Sequence, residues 1–212
     1  MTFPVIVIGA GGHAKVVLDV LLLRGQRVIG LLDADPKKKG QEVFGVPVLG
    51  GDDVLTSYTP SEVSLVLGVG SSRGAERRRA LYESLRQRGY RFLSLAHPSA
   101  IIARMVEIGD GSIVMAGAVV QPGCRIGANC IVNTGARVDH DCQIGDHVHV
   151  APGAILCGDV CVGADSHVGA GATIIQGVKV GSSALVAAGA LVIDNIPDRT
   201  TVLGIPARKR RS

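Results

Sequence analysis

The sequence predicts two joined architectures, a small α/β domain over residues 1–96 and a parallel β-helix over residues 101–212. Three observations carry this. From position 108 to position 192 every sixth residue is Val, Ile or Leu, fifteen positions without a break. Ile-Gly or Val-Gly pairs begin at 108, 126, 144, 162 and 180, a longer period of eighteen. Residues 1–96 show no such hexads and instead open with an apolar run that ends in Gly9-Ala10-Gly11-Gly12-His13-Ala14.

The N-terminal elements follow in order. An apolar strand at 5–8 runs into the glycine turn, then into an apolar-periodic helix at 14–24 closed by Gly25, then into a strand at 28–32 ending at Asp33. Strand, glycine turn, helix and strand make a βαβ unit, hence a small Rossmann-like domain. A further strand at 63–69 leads to Gly70-Ser71-Ser72 and a basic amphipathic helix at 74–88. Residues 92–95 close the domain, and His97-Pro98-Ser99-Ala100 reads as the junction. The turn is a GxGxxA form of the dinucleotide fingerprint, with Asp33 as the acidic residue at the end of the next strand. Such glycines let backbone approach a phosphate at a helix N-terminus. Only about half of a full dinucleotide fold precedes the repeats, so a mononucleotide or nucleotide sugar fits better. His13 sits at the expected phosphate edge. Asp33 is suited to ribose hydroxyls or to ring N–H groups of guanine or uracil.

In the second part, a second series four residues after each aliphatic is small or medium-sized, from Ser112 to Ala190, and holds no charge. Every Asp, Lys, Arg and His between 108 and 192 falls on the other four phases. Three hexads per coil imply a triangular β-helix with aliphatics stacked inside. Glycines suit corners that need positive φ. A narrow interior explains an aromatic content of 3%. Cys124, Cys130 and Cys142 fall on an inward phase and read as core filler.

Composition excludes several classes. At 47% hydrophobic residues the chain is not disordered. Its mean hydropathy is +0.35, yet no run of about 20 apolar residues predicts a membrane span. No basic stretch precedes the first apolar run, so no secretory signal is expected. Five cysteines lack CxxC spacing, and the setting expected is reducing and cytoplasmic. The net charge of +4 is concentrated at 73–91 and 208–211, which read as solvated faces or tails. The basic residues are not interleaved with aromatics, so no nucleic-acid partner is expected.

A β-helix has no deep pocket of its own, so chemistry is expected on an outer face. The densest polar cluster is Asn133-Thr134, Asp139-His140-Asp141, Asp146-His147 and His149. His140 lies outward near a corner, with Asp141 beside it to orient the imidazole and raise its pKa, as suits a general base. Gly158 lies eighteen residues on, one coil above. It would leave room for a ligand and offer an N–H to an oxyanion. His147 reads as solvent-facing decoration. His149 and His167 are also eighteen apart and share a face, but a β-helical zinc hydratase needs a third histidine and an HxxxxH pair. No metal is expected.

The short βαβ domain with GAGGHAK, the hexads with NTGARVDHDCQIGDHVHVAPGA, and the tail Gly204-Ile205-Pro206-Ala207-Arg208 together resemble bacterial nucleotide-sugar acetyltransferases. These are the 4-amino-4,6-dideoxy-sugar N-acetyltransferases of the bacillosamine and perosamine type, with sialic acid O-acetyltransferase-like relatives. The resemblance spans essentially the whole chain and implies a left-handed β-helix, a homotrimer, and acetyl-CoA bound between subunits. It implies that Gly11, Gly12, His13, Asp33 and Gly70 hold the nucleotide, with Asn133 also on the substrate. His140 would be the base, Asp141 its tuning carboxylate, and Gly158 the oxyanion donor. The family often has Glu where this chain has Asp141. His149 would contact acetyl-CoA near the thioester, Ala170 and Ala188 would contact it through backbone, and Arg208 would lie near its phosphates. Acetylation would fall on the C4 amine of a GDP- or UDP-linked sugar used for bacterial surface glycans. The run from Gly11 to Val17, with Asp33-Ala34-Asp35-Pro36, leans toward GDP. Competing readings are a sugar O-acetyltransferase, a zinc hydratase and a non-catalytic nucleotide-binding assembly protein.

Overall fold

The structure, a computed structural model, describes residues 3–71 and 75–210. Ser72, Arg73, the expected helix start at Gly74, and Arg211 lie outside them. The N-terminal domain comprises β1 (Val5–Ile8), α1 (Gly12–Leu23), β2 (Val28–Leu32), β3 (Glu42–Val43), β4 (Val46–Gly50), β5 (Ser64–Leu67), α2 (Glu76–Gln87) and β6 (Arg91–Phe92). The sheet order is β3-β4-β2-β1-β5-β6, parallel except for the β3-β4 hairpin. β1 lies inside the sheet and all four of its residues are buried, which is why it reads as an unbroken apolar run. The hairpin has no counterpart in the sequence reading. Its two-residue turn is Phe44-Gly45, both at positive φ (50° and 76°), and Phe44 is not a residue that announces such a turn.

The second part is a three-sided parallel β-helix whose strands from Leu95 to Val192 are two residues long and pair at a register of eighteen; Thr201–Leu203 follows at a register of sixteen and carries an antiparallel tail strand, Arg208–Lys209. One face runs Leu95–Ala96, Ile113–Val114, Ile131–Val132, His149–Val150, His167–Val168, Leu185–Val186. The second begins at Ile101–Ile102 and the third at Glu107–Ile108. The aliphatic hexad series fills the interior, buried from Val114 to Val192, each side chain stabilising by about 1.5–3 kcal/mol. The second series does more than fill space. Ser112, Cys130 and Ser166 donate to the carbonyls of Gly127 (2.7 Å), Gly145 (3.0 Å) and Gly181 (2.7 Å), each fifteen residues on. Cys124 and Cys142 do the same to Asp139 (2.9 Å) and Cys157 (3.2 Å). Corner carbonyls that the ladders leave unpaired are thereby satisfied.

Two expectations are corrected. The hand-over between the domains precedes 97–100, because Leu95–Ala96 already pairs with Ile113–Val114. The hexad phase continues back through Ile102 to Ala96, whose small side chain hides it. The glycines spaced by eighteen are not there for positive φ. Gly109, Gly145 and Gly163 lie outside that region, and a Cβ on each would come within 2.5–2.7 Å of a backbone nitrogen in the next coil. They permit close nesting of coils. Positive φ is instead adopted at other corner positions by glycine and by Asn129, Asp141, His147, Asp159, Asp165 and Ser183.

The N-terminal domain docks on the first face. Leu95, Ile113 and Met115 of the β-helix join the core around α1. On α2, Arg79 pairs with Asp165 at 2.6 Å and the Tyr82 hydroxyl donates to the Asp110 carbonyl at 3.3 Å. The basic helix is therefore not merely a solvated face: Arg78 is 2% exposed.

Candidate functional site

Two regions carry the expected residues. The first is a cleft of about 460 Å³ at the carboxyl ends of β1, β2 and β5, where open parallel sheets place ligands. Gly11, Gly12, His13, Asp33 and Gly70 all line it. The glycines divide by role. Gly9 has φ +107° and a Cβ there would lie 2.9 Å from Val69, so the fold requires it. Gly11 and Gly12 face open space, so packing does not demand them; their missing side chains clear the wall above the α1 N-terminus. That terminus has no side-chain cap and no acidic residue in its first turn, leaving N–H groups for an anion.

Asp33 is well occupied. Its Oδ2 accepts from the Ala10 N–H and from Lys38 Nζ, both at 2.8 Å, and its Oδ1 accepts from the Asp35 N–H at 3.0 Å. Burial alone would raise its pKa, but the bonds from Lys38, Asp35 and Ala10 outweigh that and hold it below its ordinary value. Lys38 and Arg77 also line the cleft and supply positive charge. Sequence reasoning missed both, because each lies in a short run of like cations and the sequence does not say which member of the run turns toward the cleft. Burial and then the Arg78 charge push the His13 pKa down to about 4, so His13 is neutral at pH 7. Its Nε2 is buried without a partner among the described residues.

The second region is the corner after Arg137–Val138. The His140 ring donates from Nδ1 to Asp141 Oδ2 at 2.9 Å, which leaves Nε2 free to accept a proton. That hydrogen bond raises the His140 pKa above its ordinary value. Gly158 is stacked on the ring: a Cβ there would lie 2.6 Å from both Cε1 and Nε2. The space it was expected to leave for a ligand is filled by the imidazole itself. The Gly158 N–H donates no hydrogen bond among the described residues and remains available. A hollow of about 270 Å³ on the second face, lined by Val119, Gln121, Arg137, Asp139, Ile155 and Cys157, adjoins this corner.

Between the regions lies a buried seam. His149 is 8% exposed. Its Nδ1–H faces the carbonyl and hydroxyl oxygens of Ser71 at 2.9 and 2.8 Å, and its Nε2 accepts from Asn133 Nδ2 at 3.0 Å. Burial and neighbouring His167 push its pKa down to about 3. With both nitrogens engaged, His149 reaches the surface through Asn133. His167 stacks edge-on at 4.8 Å. His147 was expected in solvent; instead it packs in the seam against Asn129 at 3.0 Å and the Tyr82 ring at 5.7 Å. Among the described residues no three His, Cys, Asp or Glu converge as a metal site. Ala170 and Ala188 are exposed, stacked at the corner that follows the first face, and their N–H groups donate no bond among the described residues. Arg208 lies in the tail strand, 3.5 Å from Asp194.

One chain does not bring the regions together. No β-helix residue lines the nucleotide-type cleft, and the domain forming it docks on the first face. His140 sits at the corner joining the second and third faces.

Residues 4–85 match the PglD N-terminal domain family. Residues 105–140 and 141–176 match the bacterial transferase hexapeptide family of six repeats, and 159–194 match the hexapeptide repeat of succinyl-transferase. The chain is 40% identical over 115 residues to UDP-N-acetylbacillosamine N-acetyltransferase of Bacillus subtilis (strain 168), covering 53% of this chain and 51% of that protein, so the match spans about half of the relative's length. It is similar to the acetyltransferase domain of PglB from Neisseria gonorrhoeae FA1090 in complex with acetyl coenzyme A, at 38% identity and TM-score 0.91, covering 99% of this chain and all of that one (100%). It is also similar to a point variant of perosamine N-acetyltransferase from Caulobacter crescentus in complex with CoA and GDP-perosamine, at 37% identity and TM-score 0.92, covering 99% and 97%. With this agreement in both domains, the chain belongs to the acetyltransferases that join a PglD-type N-terminal domain to a left-handed β-helix of hexapeptide repeats.

Proposed function

We propose that this protein transfers the acetyl group of acetyl-CoA to the C4 amine of a nucleotide-linked 4-amino-4,6-dideoxy sugar, with His140 as general base, in bacterial surface glycan synthesis. The observation that carries the reading is the His140 corner: Nδ1 tied to Asp141, Nε2 left to accept a proton, and Gly158, whose N–H donates to nothing among the described residues, stacked on the ring. The relatives with bound CoA and GDP-perosamine support the substrate class. GDP is placed ahead of UDP on the turn residues 11–17 and 33–36.

The chemistry is direct transfer. His140 Nε2 takes a proton from the sugar amine as the new C–N bond forms at the thioester carbonyl. The Gly158 N–H faces the developing oxyanion, a contribution of about 3 kcal/mol for one such donor. The C–S bond then breaks, and the proton held on His140 passes to the leaving sulfur, giving CoA thiol. No acyl-enzyme is needed: the Cys142 thiol is buried and already donates to Cys157.

The cleft residues Gly11, Gly12, His13, Asp33 and Gly70 hold the nucleotide in this reading. Ala170 and Ala188 offer N–H groups to the coenzyme along one edge, with His149 toward the thioester and its hydrogen-bond partner Asn133 toward the sugar; Arg208 lies toward the coenzyme phosphates. Those residues and His140 lie on different edges of the prism, separated by the second face, whose Ile101 is 64% exposed. A homotrimer that packs along this face sets the edge of one subunit against His140 of the next, and this is the assembly we propose.

The test is thiol release from acetyl-CoA with UDP-, GDP- and dTDP-linked 4-amino-4,6-dideoxy sugars and free sialic acid as acceptors. Release with one amino sugar is expected. Release with sialic acid alone would replace this reading by O-acetylation, and silence across the panel would overturn it.

A further inference from the structure

Arg78, on α2, is the one charged side chain in the core of the described residues, and the reaction set out above does not use it. Its Nη1 donates to two carbonyls, Leu67 at 3.0 Å and Val69 at 2.6 Å. Its Nε lies 3.5 Å from the Asn129 carbonyl, and its Nη2 is buried without a partner among the described residues. No carboxylate among the described residues forms an ion pair with it. A buried cation without a counter-charge is costly, so its persistence asks for an anion nearby. Burial pulls its pKa down only to about 10, so it is charged at neutral pH.

The two carbonyls it holds orient the loop that lines the cleft. In a trans peptide the N–H points opposite to the C=O that precedes it. The Leu67 carbonyl faces Arg78, and the next N–H, that of Gly68, accordingly points the other way and donates to Ile8 on β1 at 2.8 Å. The Val69 carbonyl also faces Arg78, so the Gly70 N–H is turned to the β1 side. The Gly70 α-carbon packs against the glycine turn: a Cβ there would lie 3.5 Å from both Cβ and Cγ of His13. The Gly70 N–H donates to nothing among the described residues, and Gly70 lines the cleft beside the open N-terminus of α1.

We propose that Arg78 is a positioning residue that aims the Gly70 N–H at the diphosphate of the bound nucleotide sugar and supplies, from behind the loop, the positive charge that the diphosphate balances. The inference rests on the nucleotide-sugar reading of the cleft. It assigns Arg78 to recognition of the charged linkage and not of the base or sugar.

The test compares affinities for GDP against guanosine and for UDP against uridine, in wild type, Arg78→Met and Arg78→Lys, with thermal unfolding as a control. Wild type is expected to prefer a diphosphate. Arg78→Met should weaken diphosphate binding roughly tenfold, as for a hydrogen bond to a charged group, and leave the nucleoside unchanged. In turnover, the KM for the nucleotide sugar should rise by a similar factor, with kcat and the acetyl-CoA KM within about threefold. Both carbonyls accept from a single nitrogen, so the ammonium group introduced by Arg78→Lys can reach them and should keep the preference within about threefold. Equal losses for nucleoside and diphosphate, or none, in Arg78→Met would overturn the proposal. Should Arg78→Met not fold, a tenfold loss of preference in Arg78→Lys would overturn it. A wild type that does not prefer the diphosphate would instead sink the nucleotide-sugar reading itself.

Discussion

His140 and His149 are nine residues apart in the sequence and sit in opposite environments. The corner at His140 is in solvent, with a side-chain exposure of 52%, and Asp141 raises the imidazole's proton affinity. The seam at His149 is dry, and burial next to His167 drives its proton affinity down. One ring has its hold on a proton strengthened by a carboxylate and the other is held neutral by burial. The difference teaches that residue type alone does not mark a site on a β-helix; whether the N-terminal domain covers a position decides whether its histidine is left open to solvent or is buried as a fastener.

Replacing His140 by Ala should separate the two regions most sharply. We expect turnover to fall by about 10²–10⁴, the range of general-base catalysis, with the thermal midpoint close to that of wild type. Near-normal turnover would remove His140 from the mechanism. Gly158→Ala comes next. Its new methyl carbon would lie only 2.6 Å from two atoms of the imidazole, so the ring must move. About a hundredfold loss in kcat is expected from such misplacement, read against an unchanged circular dichroism spectrum.

Asp141→Asn should cost less and shift the pH profile. His140 must be neutral to accept a proton, so activity falls as pH drops through its pKa. Asp141 raises that pKa; removing its charge lowers it, and the acid limb of kcat/KM should move to lower pH. A limb that stays or moves up would assign it to another group.

His149→Leu tests the seam and should act on stability first. It leaves Asn133 and Ser71 without their shared partner, a cost of about 1–3 kcal/mol for buried groups left unpaired. The pH sign is opposite in logic to a surface pair. The folded-state pKa is depressed to about 3, so below the ordinary value of 6.5 the unfolded chain binds a proton that the folded one does not. Stability therefore falls as pH drops from 6.5 toward about 3. His13, depressed to about 4, acts in the same direction. Thermal midpoints measured across that window should fall less steeply in His149→Leu than in wild type.

Much of this was legible in the sequence because the β-helix repeats. A strict phase shows which side chains are inside, and the eighteen-residue coil places Gly158 on His140 and His167 on His149 before any coordinates. The α/β domain was legible where local rules are strong, at the apolar β1 and the glycine turn. The hairpin at Phe44-Gly45 was not, because its turn depends on a positive φ at a residue that rarely adopts one. The buried Arg78 was hidden inside a run of arginines that otherwise face water. The engagement of Asp33 by Lys38 and of His149 by Ser71 was hidden because those partners meet only through tertiary packing, the latter pair 78 residues apart.

The glycines at 109, 127, 145, 163 and 181 have a consequence that reaches the chemistry. With a Cβ excluded at each, the coils rest directly on one another, and the rise per coil is set by backbone alone at about 4.8 Å. A single added methyl in that column would act as a shim, prying one coil from the next and tilting everything above it. A methyl at Gly145 would change the spacing between the His140 ring and the Gly158 amide, and one at Gly163 that between the Ala170 and Ala188 amides, with no substitution at any of the four. The far wall of the prism is thus part of the site's calibration.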